Sequence, residues 1–282
     1  MIGAAFIAAI GVAAVAVPAF ASDTLTTLAS FNGSDGAYSS GGLTLGGSTL
    51  YGTTVIGGAG GDGTLFSLPV SGGTPATLVT FNGTNGANPR AGLTLADGTL
   101  YGTTQGGGAY GDGTVFSVPV NGGTPTTLAT FNNTNGAGPW ADLALSGGTL
   151  YGTTYAGGAG GYGTVFAVPI TGGTPTTLVT FNATNGAYPQ AGLTLSGGTL
   201  YGTTTYGGNL SRDSGLGYGT VFSVPVGGGT PTTLVAFNNT DGSGPEAGLT
   251  VSNGTLYGTA AYGGTGGVGT VSSANVGTSK VS

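Results

Sequence analysis

Cysteine and histidine are missing from all 282 residues, and charge is scarce, with 3 Lys or Arg and 9 Asp or Glu. Without cysteine there is no disulfide framework, no thiolate metal site and no thiol nucleophile. Without histidine the usual general base near neutral pH is gone. Charged residues make up 4% of the chain, where ordinary soluble domains carry about 25%. The basic residues are Arg90, Arg212 and Lys280. Three scattered cations cannot neutralise the phosphates on which nucleic-acid affinity rests, nor hold an anionic lipid surface. No glycine cluster continues as Gly-Lys-Ser/Thr, so a phosphate-cradling loop is also excluded.

What remains is glycine, 64 residues of it, with Thr, Ser and Asn beside 38% apolar residues. Disordered chains combine low hydrophobicity with high net charge, which this chain does not. Short strands of Thr, Val, Tyr, Phe and Leu separated by Gly, Asn and Pro turns fit the mixture. The first residues stand apart. Met1 to Ala21 is apolar, carries no charged side chain and ends in Ala19-Phe20-Ala21. That pattern predicts a signal peptide over 1–21, although no Lys or Arg precedes the apolar run; an uncleaved anchor is the alternative.

Phe31, Phe81, Phe131 and Phe181 follow one another at intervals of fifty residues, and Phe237 comes fifty-six later. Each opens a near copy of one unit, so residues 22–282 read as a single domain of tandem β units starting near 31, 81, 131, 181 and 237. In the second unit four extended segments are expected: Leu93-Thr94-Leu95, Thr99 to Thr104, Gly113 to Val120, and Thr126 to Phe131. Asp97-Gly98 and Gly122-Gly123 supply hairpin turns between them. Phe116 and Val118 alternate with Val115 and Ser117, so the sheet is apolar on both faces and needs a neighbour on each. Sheets stacked face to face around an axis provide that. The expected fold is all-β, a five-bladed β-propeller of four-stranded antiparallel blades. The segment from Thr24 to Phe31 matches a fourth strand and the chain's last three strands lack one, so the N-terminal strand is expected to close the last blade. An open β-solenoid is the alternative. Ser272 stands where the other units carry Phe66, Phe116, Phe166 and Phe222, which marks the last blade as the softest.

The segments Gly-Leu-Thr-Leu, Gly-Thr-Leu-Tyr-Gly-Thr-Thr and Gly-Thr-Val-Phe-Ser-Val resemble the GloVer (Gloeobacter/Verrucomicrobia) tandem repeat, from Thr24 to about Gly269. The resemblance implies exported bacterial proteins, often with a separate C-terminal sorting or anchoring tail, and no set of catalytic residues. This chain departs from that pattern in ending Gly277-Thr278-Ser279-Lys280-Val281-Ser282, which holds neither an anchor nor a sorting motif.

Candidate site residues are those that vary where the repeat otherwise holds. The residue after the loop proline is Ser40, Arg90, Trp140, Gln190 or Glu246. The loop between second and third strands carries Gln105, Tyr155, Tyr206 and Tyr262, and in the fourth unit an insertion with Arg212 and Asp213. Both loops are expected on one face, which suits a non-catalytic binding module for a carbohydrate or protein; drift at unconstrained loop tips is the plain alternative. A structural extracellular scaffold is the second reading. A hydrolase or lyase working through Glu246 and Asp213 is the third, if the carboxylates stand about 5–10 Å apart. Gly57 to Gly63 resembles a calcium-binding nonapeptide turn, but such turns bind in direct tandem and here recur once per unit. Asn32, Asn82, Asn132, Asn182 and Asn238 read as turn caps rather than glycan acceptors. No enzyme activity, metal or cofactor is expected. The expected location is secreted or cell-surface, as a monomer with no membrane insertion after leader cleavage. Mass spectrometry of the exported protein should find Ser22 as its first residue; a chain still beginning at Met1 overturns the cleavage reading.

Overall fold

The computed structural model describes residues 25–211 and 215–276. The proposed leader therefore lies outside the described residues. Five antiparallel sheets follow one another along the chain, and every sheet draws its strands from a single unit, in the order in which they occur. In the second sheet the strands are Thr94–Ala96, Thr99–Thr104, Thr114–Pro119 and Thr126–Thr130, close to the segments read from sequence. A β-solenoid would pair strands between successive units. No such ladder occurs among the described residues, so this is a propeller-like array of separate meanders.

Glycine sets the spacing inside each sheet. Gly52, Gly102, Gly152 and Gly202 sit directly across from Phe66, Phe116, Phe166 and Phe222 in neighbouring strands. A Cβ on Gly102 would stand 2.7 Å from Phe116 Cζ and 2.9 Å from Leu93 Cδ2, closer than atoms pack. The ring occupies the space that a side chain would take. It then meets, edge to face, the Phe that opens its own unit, just past the preceding fourth-strand position: Phe31 with Phe66, Phe81 with Phe116, Phe131 with Phe166, and Phe181 with Phe222, at 4.9–5.2 Å. The other face of each sheet is filled in turn. Val115 packs with Leu128, Phe131, Leu143 and Phe166, while Phe116 and Val118 pack with Leu65, Val79 and Phe81.

Hydroxyls complete the joints. Thr53, Thr103, Thr153 and Thr203 donate to the carbonyls of Ala91, Ala141, Ala191 and Ala247, just ahead of the first strand of the following sheet, at 2.9–3.3 Å. Thr54–Thr64, Thr104–Thr114, Thr154–Thr164 and Thr204–Thr220 are buried hydroxyl pairs at 2.8–2.9 Å that tie second strand to third. These bonds explain why the repeat keeps threonine in a core that could have been wholly apolar.

The expected closure by the N-terminal strand is not among the observed pairings. The last sheet has three strands, Thr250–Ser252, Thr255–Ala260 and Thr270–Asn275. Residues 25–30 carry no strand, and Leu25 is 98% exposed. The segment does stand in the position of a fourth strand against the first sheet. Leu28 accepts the Gly73 N–H at 2.9 Å, as Leu128 accepts that of Gly173. Among the described residues it makes no ladder to the last sheet. Leu43 and Leu45 on the leading face of the first sheet are 57% and 60% exposed, and Val271 on the trailing face of the last is 83% exposed. Leu93 and Val115, the counterparts of Leu43 and Val271, are buried between sheets, and Leu95, the counterpart of Leu45, is half-buried. A strand forms only where a partner supplies its hydrogen bonds, and the four joints leave these two ends unjoined.

The last sheet is also thinned from within. Ser272 replaces the core Phe, Ala274 stands where Val224 does, and Ala260 replaces the hydroxyl partner of the buried Thr pair. Truncating a core Phe costs about 3–5 kcal/mol. Ser272→Phe is therefore expected to raise the melting temperature by several degrees in a thermal scan; an unchanged midpoint would show that this strand is not packed as described.

Candidate functional site

Two loops of each unit lie side by side because a backbone bridge clamps them. Ala37 pairs with Ile56, Ala87 with Gly106, Ala137 with Ala156, Ala187 with Tyr206, and Ser243 with Tyr262. The clamp places the residue after the proline beside the residue fifteen positions later. The side chains at those two positions form a different pair in each of the three middle units. Arg90 Nε donates to Gln105 Oε1. Trp140 stacks on Tyr155 with centroids 4.5 Å apart and planes 13° apart. Gln190 Nε2 donates to Thr205 Oγ1 at 3.0 Å. The first unit has Ser40 and Val55 at these places, and the fifth has Glu246 and Ala261.

The first two of these pairs join, across unit boundaries, into one strip with tyrosines of the fourth unit. The Arg90 guanidinium lies 5.7 Å from the Trp140 ring centre, within reach of a cation–π attraction. Tyr155 continues to Tyr188 at 5.0 Å, and Tyr188 meets Tyr206 at 6.1 Å and Tyr162 at 5.7 Å. Burial of the Tyr155 phenol, followed by the nearby phenols of Tyr188 and Tyr206, holds its pKa above the ordinary value of 10.0. Trp140 Nε1 is buried with no hydrogen-bond partner.

Tyr188 is the residue that reading the sequence missed. It precedes the loop proline, where the other units carry Tyr38, Asn88, Gly138 and Gly244. All five have positive φ, from 55° to 62°, a conformation that disfavours a bulky side chain. The Asn and Gly at equivalent positions were the available signal. Two tyrosines are held there against local preference.

The remaining candidates are less gathered. Tyr262 is exposed and pairs only through its backbone with Ser243. Glu246 is exposed and lines an open cleft of about 570 Å³ with Val268 and Val271 on the trailing face. Arg212 and Asp213 lie outside the described residues, and with them the Glu246–Asp213 pair. No group of three His, Cys, Asp or Glu gathers among the described residues. The repeated asparagines are engaged locally: Asn82 Oδ1 accepts from Thr84 Oγ1 at 2.8 Å and from the Asn85 N–H at 3.2 Å.

These features define the class: a propeller-like tandem β-repeat protein whose variable side chains cluster on clamped loops. Residues 47–272 match the model of the Gloeobacter/Verrucomicrobia repeat, and the chain belongs to that family. No curated protein matches it in sequence. Among solved structures, a chain of the nidogen/laminin complex is similar with a TM-score of 0.50 at 16% identity, over 76% of this chain and 68% of that one. A GH74 enzyme of Niastella koreensis gives 0.53 at 18% identity, over 82% of this chain and 35% of the enzyme. A puromycin-hydrolyzing peptidase of Mycobacterium tuberculosis gives 0.53 at 14% identity, over 87% and 38%. This chain spans little more than a third of either enzyme. Identities this low speak to the fold alone.

Proposed function

We propose that this chain is an exported, non-catalytic binding module that recognises a carbohydrate or protein through the clamped loops of its second, third and fourth units. One observation carries the reading. The same backbone clamp recurs in all five units, while the pair of side chains it presents changes from one unit to the next. A purely structural repeat has no need for that diversity beside a constant core. The leader expected over 1–21 and the near lack of basic residues suit an extracellular setting.

A structural scaffold is the second reading, and a specific feature favours it. Arg90 contacts Trp140, Trp140 stacks on Tyr155, and Tyr155 contacts Tyr188, so these side chains already engage one another in series. Glycan and protein arrays probed with the full chain separate the two. A ligand should be found, and Trp140→Ala with Tyr155→Ala should weaken it at least about tenfold, or ~1.4 kcal/mol. Undiminished binding by the double variant removes these loops from the site. No ligand, together with a large drop in melting temperature for the double variant, favours the scaffold.

In this reading the ring is closed, with residues 25–30 completing the last sheet. The exposed Leu43 and Leu45 on one end and Val271 on the other are the two halves of a joint made four times elsewhere. Spin labels at Leu25→Cys and Val271→Cys should report one short distance that does not change with concentration. A long distance, or a short one that appears only on association, would sink closure within one chain.

A further inference from the structure

The vacated Phe seat in the last sheet is a site that the loop ring does not use. In four sheets a glycine leaves room and a Phe ring fills it. Gly258 keeps that room in the fifth, facing Ser272 across the ladder. A Cβ built on Gly202 would meet Phe222 Cζ at 2.6 Å, whereas one on Gly258 meets only Leu249 Cδ2, at 2.7 Å. Phe237, which opens the fifth unit as Phe181 opens the fourth, has no ring beside it among the described residues. The space is a cavity of about 220 Å³ between the fourth and fifth sheets, and Val221, Val235, Phe237, Leu249 and Leu256 line it. Asp241 and Ser272 also border it, with the Asp241 carboxylate accepting the Asn238 N–H in the adjoining turn.

We propose that this seat binds a small neutral aromatic molecule, with the ring taking the place that Phe66, Phe116, Phe166 and Phe222 occupy in the other sheets. An apolar cavity of about 150 Å³ is already large enough to hold benzene, so a phenyl or indole group fits here. The edge of Phe237 supplies the T-shaped contact that its counterparts make at 4.9–5.2 Å, a geometry that aromatic pairs favour. A neutral ring enters this apolar wall, whereas an ionised aromatic carboxylate loses its hydration there without a cationic partner. Saturated rings of similar size lack the edge-to-face attraction and bind less well.

The site does not depend on the loop pairs, so its fate is separate from that of the proposed function. The full chain is titrated with indole, phenol, benzoate and cyclohexanol, following both NMR shifts and melting temperature. Indole and phenol should bind saturably at millimolar concentration, shift resonances around Phe237 and Leu256, and raise the melting temperature as any ligand of the native state does. Benzoate should bind at least tenfold more weakly. Ser272→Phe should abolish the effect by filling the seat, and Ser272→Ala should keep it. Ser272→Leu serves the same purpose if the Phe variant does not fold. No saturable binding by the unaltered chain, or binding that survives in a folded Phe or Leu variant, overturns the proposal. So does equal binding of benzoate.

Discussion

A phenylalanine ring laid over a glycine holds this molecule together. The contact is made across two strands of one sheet, and the far edge of the ring reaches the sheet before it. A single residue thus fixes both the interior of a unit and its junction with its neighbour. The recurrent Leu-Tyr-Gly-Thr and Gly-Thr-Val-Phe segments are the two walls of that contact read along the chain. Gly102 needs no unusual backbone; it needs empty space, because Phe116 Cζ stands 2.7 Å from where a Cβ would be. Leu100 and Tyr101 then face opposite neighbours, so a strand of six residues packs on both sides. With so much of each unit committed to packing, variation is confined to the loops.

The loops show what that confinement permits. The clamps between Ala87 and Gly106 and between Ala137 and Ala156 are backbone bridges, indifferent to the side chains beside them. They can carry an arginine with a glutamine in one unit and a stacked Trp–Tyr pair in the next. The strip from Arg90 to Tyr206 has features of both a recognition surface and an internal brace. Its rings share faces, as a brace does. Yet Tyr188 is held with φ at 55° where glycine serves elsewhere, and such local strain persists where surrounding structure or function maintains it.

Much of this was legible in the sequence because it is local or repeated. Strand positions in the second unit fell within a residue or two of those observed, since alternation and Gly turns act over a few residues. That Arg90 and Gln105 belong to one face followed from meander topology alone. Ring closure was not legible in the same way. It depends on how far each joint rotates one sheet against the next, an angle that accumulates over four joints and leaves no mark in a hydrophobic pattern. Matching the Thr24 to Phe31 segment to a fourth strand agrees with the Leu28 contact to Gly73, while its ladder to the last sheet is not among the observed pairings. Tyr188 escaped notice because the comparison was made after the proline, while the conformational signal lies before it.

The fifth sheet shows what happens when the central contact is withdrawn but its setting is kept. In a repeat array, stability is close to a sum of unit terms and neighbour terms, so a defect in a terminal unit stays local. Losing the Phe ring at Ser272, the hydroxyl pair at Ala260 and the methyls at Ala274 weakens both the sheet and its junction with the fourth unit. Leu256 nonetheless stays buried, and so does Phe237. The seat therefore survives because the fourth sheet supplies half of its wall. Whatever fills it, a ring from solution or tighter packing on closure, acts on the least stable unit of the chain. Free energy gained there has more effect on the population of open forms than the same gain in the middle sheets, where opening is already rare.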